Sequence, residues 1–450
     1  MRKFPWILAL IVAVACCETR AEGLTDAQRD ALRGIARGEA PAWSAVDAAQ
    51  SRALEQRAGA FLAHYQQHFL PFGLSADVLW TDRARSEVAV YEGIGDSACH
   101  TGQYLAALAL HHAAAPSPKL LQDMHAVLDR FEVLSRISGS EGYITRFAGP
   151  IDSRPYHAYY HVYGKGEDPA RPGFGKRAFQ GVAPWEDQAW LGWSSRDTYA
   201  GVQFGLAAAW HYVPDEALHK KIETIVERVG KRLIADGWDI LDPKGFKTPS
   251  ILMMKVTWLR LMLSVCPEAF GDRAAMYREL SGNFAKQPLD WRGIDAKEYY
   301  PNNLKFIRLF TLCTLETDPV LKGQYQELVR RGWNGELKTH LNAHFAALYL
   351  LLTGDRDDSA LATVQGQLLD FPQDKWTRTI DHRGRADVAM AGADYAKQAF
   401  LASEWAPTDF LWQRAPALAH GGSDAPLEFP AIDYFLPYWA ARVAGVVPAA

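Results

Sequence analysis

The sequence predicts an all-α protein, an (α/α)6 toroid in which about six helical hairpins close into a double ring. Three observations favour this fold. Helical periodicity recurs along almost the whole chain while strand patterns are scarce, the candidate helices fall into consecutive pairs, and no segment has the composition of a domain linker. We therefore expect residues 22–450 to form a single toroid domain with two long, aromatic-rich loops over one mouth.

The candidate helices alternate in character along the chain. Those at 118–136 and 216–236 are amphipathic and charged, whereas those at 99–115 and 197–213 are apolar on nearly every side. An open solenoid would leave one helix of each pair half-exposed, but a double ring buries the apolar helices completely. The predicted helices span residues 51–70, 99–115, 118–136, 197–213, 216–236, 249–265, 269–286, 302–316, 319–333, 339–353, 358–370 and 433–446.

The composition limits the classes of function. A chain of 450 residues that are 48% hydrophobic can bury a large core. Its formal net charge of −4 gives no reason to expect a nucleic-acid partner. Aromatic residues make up 12% of the chain and include 15 tryptophans, whose flat faces with a polar edge suit the rings of sugars.

The N-terminal segment 1–21 has the pattern of a signal peptide. A basic start is followed by an apolar run at 5–15 and by a small-residue cleavage site at 19–21. The run 13–16 is similar to a bacterial lipobox, so a lipid on Cys16 would tether the protein to a membrane. No later run has the length of a membrane-spanning helix. We therefore expect a periplasmic or secreted protein.

The cysteine and histidine spacings predict no metal or other cofactor. After the signal segment only Cys99, Cys266 and Cys313 remain, too few for a disulfide framework and without a C-x-x-C spacing. His340 and His344 are placed to share a helix face, but the glutamate of an H-E-x-x-H zinc motif is missing.

Two helix starts have the same design. In the runs 95–97 and 195–197 an aspartate stands at a helix start, and a stem of Gly, Ala and Leu follows. Stems this small imply that another helix lies close against each of them. Asp96 could be an ordinary N-cap, but Asp197 lies inside the first turn, where Ser195 already supplies a cap.

Two connections, at 139–196 and 371–431, are much longer than the others and rich in aromatic residues. Long structureless loops in a compact domain are uncommon and often functional. Each precedes an apolar helix, so we expect both to hang over the same mouth of the ring. Trp190 and Trp193, near the end of the first loop, are expected to stack on sugar rings.

The first turns of the apolar helices would meet around this mouth. They bring together carboxylates, imidazoles, phenols, amides and a guanidinium, as expected of a binding site. The candidate residues are Asp96, His100, Arg196, Asp197, Tyr199, Tyr300, Asn302, Asn303, His340, His344 and Asp433.

The hairpin count, the paired helix starts and the aromatic loops resemble the six-hairpin glycosidase superfamily, whose fold is an (α/α)6 barrel. The resemblance covers nearly the whole mature chain and lies in architecture. Within that superfamily, the unsaturated glucuronyl hydrolases carry catalytic and supporting aspartates at the starts of early inner helices, and Asp96 and Asp197 occupy similar places. Their flanking Trp/Gly signature is not matched here, so the resemblance identifies no subgroup.

A glycoside hydrolase needs one carboxyl group that is kept protonated and usually a second carboxylate. We expect Asp197 to be the acid/base and Asp96 to orient water or to steady positive charge at the anomeric carbon. Arg196, Arg146 and Arg154 could hold a uronate carboxylate through forked hydrogen bonds. The expected partner is an oligosaccharide that contains uronate or other sugars.

Two alternatives stay open from the sequence. A polysaccharide lyase needs a tyrosine or histidine base and a group that neutralises the uronate carboxylate. The residues that could supply this chemistry are Tyr199, Tyr300, Asn302, Asn303, His340 and His344. Toroidal lyases usually resemble two-part proteins with an added β-sandwich, for which no residues remain. A toroid that binds glycans without turnover would also need a polar mouth.

Overall fold

A computed structural model describes residues 23–150, 178–408 and 414–449. Of these residues 55% are helical and 9% lie in strands, so the predicted all-α class is confirmed. The predicted signal segment at 1–21 lies outside the described residues.

The predicted helices recur with small changes at their ends, and one N-terminal helix is added. The helices are α1 (Asp26–Ala36), α2 (Ala48–His68), α3 (Ser97–Ala114), α4 (Pro118–Leu134), α5 (Arg196–Tyr212), α6 (Glu216–Ala235), α7 (Leu252–Val265), α8 (Ala274–Phe284), α9 (Tyr300–Leu315), α10 (Pro319–Gly335), α11 (Ala343–Thr353), α12 (Asp358–Leu369) and α13 (Ile432–Val443). Several begin at side chains that accept hydrogen bonds from the free N–H groups of the first turn, such as Asp47, Ser117 and Asp318.

The helix predicted at 339–353 is interrupted. A 3-10 turn, Leu337–His340, ends at Leu341, whose φ of +50° is left-handed, and α11 begins only at Ala343. The prediction that His340 and His344 share one helix face is therefore wrong, because the left-handed residue between them redirects the chain.

Short antiparallel strands lie in the connections between helices, including the two long ones. The strands are β1 (Asp77–Trp80), β2 (Val88–Glu92), β3 (Ala148–Pro150), β4 (Ala178–Gln180), β5 (Gln188–Leu191), β6 (Ile240–Leu241), β7 (Lys247–Thr248), β8 (Ile380–Asp381), β9 (His420–Gly421) and β10 (Leu427–Glu428). β1 lies between β2 and β10, β5 lies between β3 and β4, and β6–β7 and β8–β9 are pairs. The expectation of structureless loops at 139–196 and 371–431 is wrong in the described parts, because pairs of two to four residues leave no periodicity to detect.

The apolar helices contact one another in sequence. α3 packs against α5, α5 against α7 and α9, α7 against α9, α9 against α11, α11 against α13, and α13 against α3. Residues 97–110 of α3 are all buried, as a helix with neighbours on every side requires. The amphipathic helices α4 and α6 bury one stripe each against this set.

Within the described residues, no helix combines the length and the apolar character needed to cross a membrane. Cys99, Cys266 and Cys313 are free thiols.

Helices α3 and α5 approach each other to backbone contact. Gly102 of α3 faces Gly201 and Gly205 of α5, and a Cβ atom on Gly205 would lie 2.5 Å from the Gly102 carbonyl oxygen. Cβ atoms on Gly102 or Gly201 would lie closer still to the opposing backbone. The prediction that each small stem has a helix close against it is confirmed, and the two stems are each other's neighbours.

We expect Gly201→Ala to lower the free energy of unfolding by about 1–3 kcal/mol, because the added methyl group would overlap the backbone of α3 at Cys99. The matched control is Gly323→Ala in α10, where an added Cβ meets open space. This control is expected to gain up to about 1 kcal/mol from helix propensity. Chemical denaturation of both variants checks the prediction, and equal effects would contradict it.

Candidate active site

The first turns of α3, α5 and α9 surround a polar cavity of about 300 Å³. Its lining residues are Asp96, Cys99, His100, Gln103, Arg146, Ser195, Asp197, Tyr300, Asn303 and Leu304. Five of the residues predicted at helix starts and the predicted cation Arg146 are thus brought together, although they come from segments far apart in the chain. The α3–α5 backbone contact accounts for the meeting of Asp96 and Asp197, because both helices run in the same direction from that end.

Neither aspartate acts as a helix cap. The N-cap of α5 is Ser195, whose Oγ accepts a hydrogen bond from the backbone N–H of Thr198 at 3.3 Å. Asp96 precedes α3, but its side chain makes no capping hydrogen bond. The capping alternative that the sequence left open for Asp96 is therefore wrong, the expectation that Ser195 and not Asp197 caps α5 is confirmed, and both aspartates line the cavity.

Arg146 joins the segments that lead into α3 and α5. Its guanidinium donates hydrogen bonds to the carbonyl oxygen of Gly95 at 2.5 Å, to the carboxylate of Asp96 at 3.1 Å and to the carbonyl oxygen of Trp193 at 2.6 Å. Through these bonds Arg146 positions Asp96. It also lines the cavity, so its predicted role in holding a substrate carboxylate stays a prediction. Arg154 lies outside the described residues.

Asp197 has the electrostatic surroundings of a proton donor. Burial raises the pKa of its carboxyl group, the charge of Arg308 opposes that rise, and the neighbouring Asp96 adds to it. Within the described residues, the Asp197 carboxyl group has no ion pair. A carboxyl group that keeps its proton more readily than usual is the type that general acid catalysis needs.

Sequence reasoning missed Arg308. This residue of α9 is buried, its guanidinium donates a hydrogen bond to the carbonyl oxygen of Arg196 at 2.9 Å, and burial lowers its pKa to about 10. The available signal was a lone arginine in a helix that is otherwise apolar in its later turns, since arginine is almost never buried without a reason.

Two further groups of α9 line the cavity. Tyr300 is partly exposed, and burial together with the charge of Asp197 raises the pKa of its phenol. Asn303 is buried, and its Oδ1 lies 3.0 Å from Nε2 of His344. Burial lowers the pKa of His344 to about 3, so the ring is neutral at ordinary pH and holds the Asn303 amide in place. His344 therefore acts on the cavity through Asn303.

Comparison of the sequence with models of known protein families gives no match, and comparison with curated proteins gives none either. The chemistry of the cavity itself therefore carries the functional inference.

Three residues predicted for the site face elsewhere. The phenol oxygen of Tyr199 is buried and accepts a hydrogen bond from the backbone N–H of Ile144 at 3.2 Å. The amide of Asn302 bonds to both the N–H and the carbonyl oxygen of Arg292, which fixes the segment before α9. Nδ1 of His340 lies 2.7 Å from the phenol oxygen of Tyr299, and the ring is buried. Each of these groups satisfies a buried partner and not a ligand.

The predicted stacking of sugars on Trp190 is wrong. Trp190 is buried within the β3–β5–β4 sheet, and its indole N–H donates to the carbonyl oxygen of Gln180 at 3.1 Å. Trp193 is partly exposed but packs its ring against Phe246, with centroids 5.8 Å apart. Of the predicted cations, Arg196 is exposed in the first turn of α5.

A larger cavity of about 440 Å³ lies beside α2 and the segment that leads into α13. Several of its charged groups are paired. Glu428 is hydrogen-bonded to Arg85 and His64, and Lys375 of the lining pairs with Asp433, which lies behind it, at 2.5 Å. Burial alone would raise the pKa of Glu428, but the bonds to Arg85 and His64 lower it to about 2. The prediction that Asp433 binds substrate is wrong, because its carboxylate is buried in this ion pair. The smaller cavity is the better candidate.

No group of three His, Cys, Asp or Glu side chains in the described part of the chain is arranged to hold a metal ion. Burial raises the pKa of the Cys99 thiol, which disfavours the thiolate that binds metals or attacks substrates.

We expect the pH dependence of the protein's stability to reflect the raised pKa of Asp197. Because the pKa of Asp197 is higher in the folded state, the folded protein holds this proton more tightly than the unfolded chain does. The stabilisation that this proton contributes is fully present below the unfolded pKa and is lost as the pH rises through the folded pKa. The Asp197→Asn variant does not undergo this loss. The Tm of the variant minus the Tm of the wild type should therefore increase from acidic to neutral pH. Calorimetry across that range measures the difference.

The control is Asp358→Asn, which also changes an aspartate in a first turn, but an exposed one. Its Tm relative to the wild type should show no such gain, since the helix dipole favours a negative charge there. A gain of equal size in both variants would contradict the assignment.

Proposed function

We propose that this protein is a glycoside hydrolase in which Asp197 is the acid/base. The observation that carries the proposal is that one polar cavity contains two carboxyl groups with different surroundings. Asp197 is partly buried with a raised pKa, whereas Asp96 is ion-paired with Arg146. A carboxyl group that keeps its proton, together with a second carboxylate, is the pair that most glycosidases use.

In the proposed reaction, protonated Asp197 gives its proton to the glycosidic oxygen as the bond from that oxygen to the anomeric carbon breaks. Asp96 orients the attacking water or steadies the positive charge that develops at the anomeric carbon. The leaving sugar departs as an alcohol, water supplies the new hydroxyl group, and the proton that this water loses passes to the site carboxylates and restores protonated Asp197. Arg146 keeps Asp96 in position through its bonds to the backbone on both sides of the cavity.

The other lining residues are proposed to bind the sugar. Asn303 and Tyr300 offer an amide and a phenol to ring hydroxyls, and His100 and Gln103 lie at the wall formed by α3. Arg196 is the exposed cation at the cavity rim and is the residue we propose for a substrate carboxylate. Uronate-containing oligosaccharides are therefore the first substrates to try.

We also propose that the helices close into the predicted (α/α)6 toroid. The support is the series of contacts that runs from α3 through α5, α7, α9, α11 and α13 and back to α3. A closed ring gathers the starts of alternate helices at one rim, which suits a site built from α3, α5 and α9.

Export to the periplasm or the cell exterior is part of the proposal, with residues 1–21 as the leader. Polysaccharide fragments are available there, and lipid on Cys16 would hold the enzyme at a membrane. Mass spectrometry of the mature N-terminus after expression in a bacterial host tests this part, and an uncleaved leader would contradict it.

The activity test incubates the purified protein with a panel of uronate-containing and neutral oligosaccharides. Hydrolysis releases new reducing ends without new ultraviolet absorbance. β-Elimination would create an unsaturated uronide that absorbs in the near ultraviolet, and that result would replace hydrolysis by lyase chemistry. Calorimetric binding without any product would reduce the protein to a glycan-binding toroid.

On a substrate found in this way, Asp197→Asn is expected to lower kcat/KM by roughly 100- to 10,000-fold, because the amide cannot donate the catalytic proton. The fold should be retained, since Ser195 supplies the cap. The control Asp358→Asn changes an exposed first-turn aspartate on α12 and should keep wild-type kcat/KM. Full activity of Asp197→Asn would contradict the catalytic assignment.

A further inference from the structure

Arg308 lies directly beneath the candidate site. It follows Tyr300 and Leu304 at intervals of one helical turn, and both of those residues line the cavity. The side chain is 3% exposed, so its charge is removed from solvent almost completely.

The protein partners of this guanidinium do not balance its charge. It donates one hydrogen bond to the carbonyl oxygen of Arg196, and its Nε finds no acceptor in the part of the chain that the structure describes. It also forms no ion pair there. Burying an unpaired cation carries a large desolvation penalty, so its charge requires a negative group nearby.

A purely structural role explains the hydrogen bond but not the charge. A glutamine at this position could donate to the Arg196 carbonyl oxygen with a much smaller desolvation penalty. The carboxylate whose charge acts on Arg308 is that of Asp197. Asp197 lies in the first turn of α5, next to Arg196, whose carbonyl oxygen accepts the hydrogen bond from Arg308.

We propose that Arg308 is a positioning residue of the site, which anchors the first turn of α5 and supplies the buried positive charge that balances the Asp197 carboxylate. The inference refines the proposed function by naming the group that governs the acid, but its test needs no substrate. The other charged or titratable groups around Asp197 are Asp96, Arg146, Arg196, Tyr300 and the Cys99 thiol, together with His100 in the wall of the same cavity.

The experiment compares the effect of Asp197→Asn on Tm in the wild type and in the Arg308→Gln background, at acidic pH and at about pH 8. Without the Arg308 charge, ionised Asp197 is held in the protein uncompensated. The gain from Asp197→Asn should therefore increase by about 1–3 °C at the higher pH. At acidic pH, where Asp197 is protonated in both backgrounds, no such increase is expected.

Two further variants make the result specific. Arg308→Lys keeps a positive charge and should restore the wild-type gain. Arg130→Gln is the matched control, because Arg130 of α4 has a lowered pKa through burial and donates to a backbone carbonyl oxygen, that of Ala148, but does not act on Asp197. Its effect on the Asp197→Asn gain should be nil.

A gain that is the same with and without Arg308 at both pH values would overturn the proposal. If Arg308→Gln folds only together with Asp197→Asn, that rescue supports the proposal. Failure to fold in both backgrounds would assign Arg308 to packing alone and would also overturn it. Because only unfolding is measured, absence of glycosidase activity would refute the proposed function and leave this result unaffected.

Discussion

The backbone contact between α3 and α5 is the constraint on which the candidate site depends. Gly102, Gly201 and Gly205 leave no room for a side chain between the two helices, so the helix axes lie as close as backbones allow. Glycine in a helix interior is unfavourable by about 1 kcal/mol relative to alanine. The packing of two long buried stems offsets that loss, and it places two carboxyl groups within one cavity.

The two aspartates at the cavity have different electrostatic surroundings. Asp96 is ion-paired with Arg146, which also donates a hydrogen bond to the backbone before α5. Asp197 has no ion pair among the described residues, and the charge of Arg308 opposes the rise of its pKa. The folded protein therefore carries a partly buried acid and a buried cation, and burying either group lowers its stability. Such destabilising groups are typical of functional sites, which natural proteins keep at the expense of stability.

Much of the surrounding polar structure serves to hold the cavity walls. The carboxylate of Asp242 accepts hydrogen bonds from the phenol of Tyr143 at 2.7 Å and from the backbone N–H of Trp193 at 2.8 Å, just before α5 begins. His344 holds Asn303 in a comparable way on the opposite wall. These buried hydrogen bonds fix the geometry of the cavity walls.

The sequence by itself determined the all-α class, the approximate limits of most helices, the close approach implied by the glycine stems, and the two aspartates at helix starts. These follow from periodicity and residue size, which act locally. Only the tertiary structure decided which polar residues face the cavity. Tyr199, Asn302 and His340 stand at helix starts just as Tyr300 and Asn303 do, but rotation about the helix axis and the left-handed Leu341 turn them toward buried partners. The role of Arg308 also depends on tertiary structure, because its guanidinium contacts a helix more than one hundred residues away in the chain. Contacts of this kind leave no periodic pattern in the sequence.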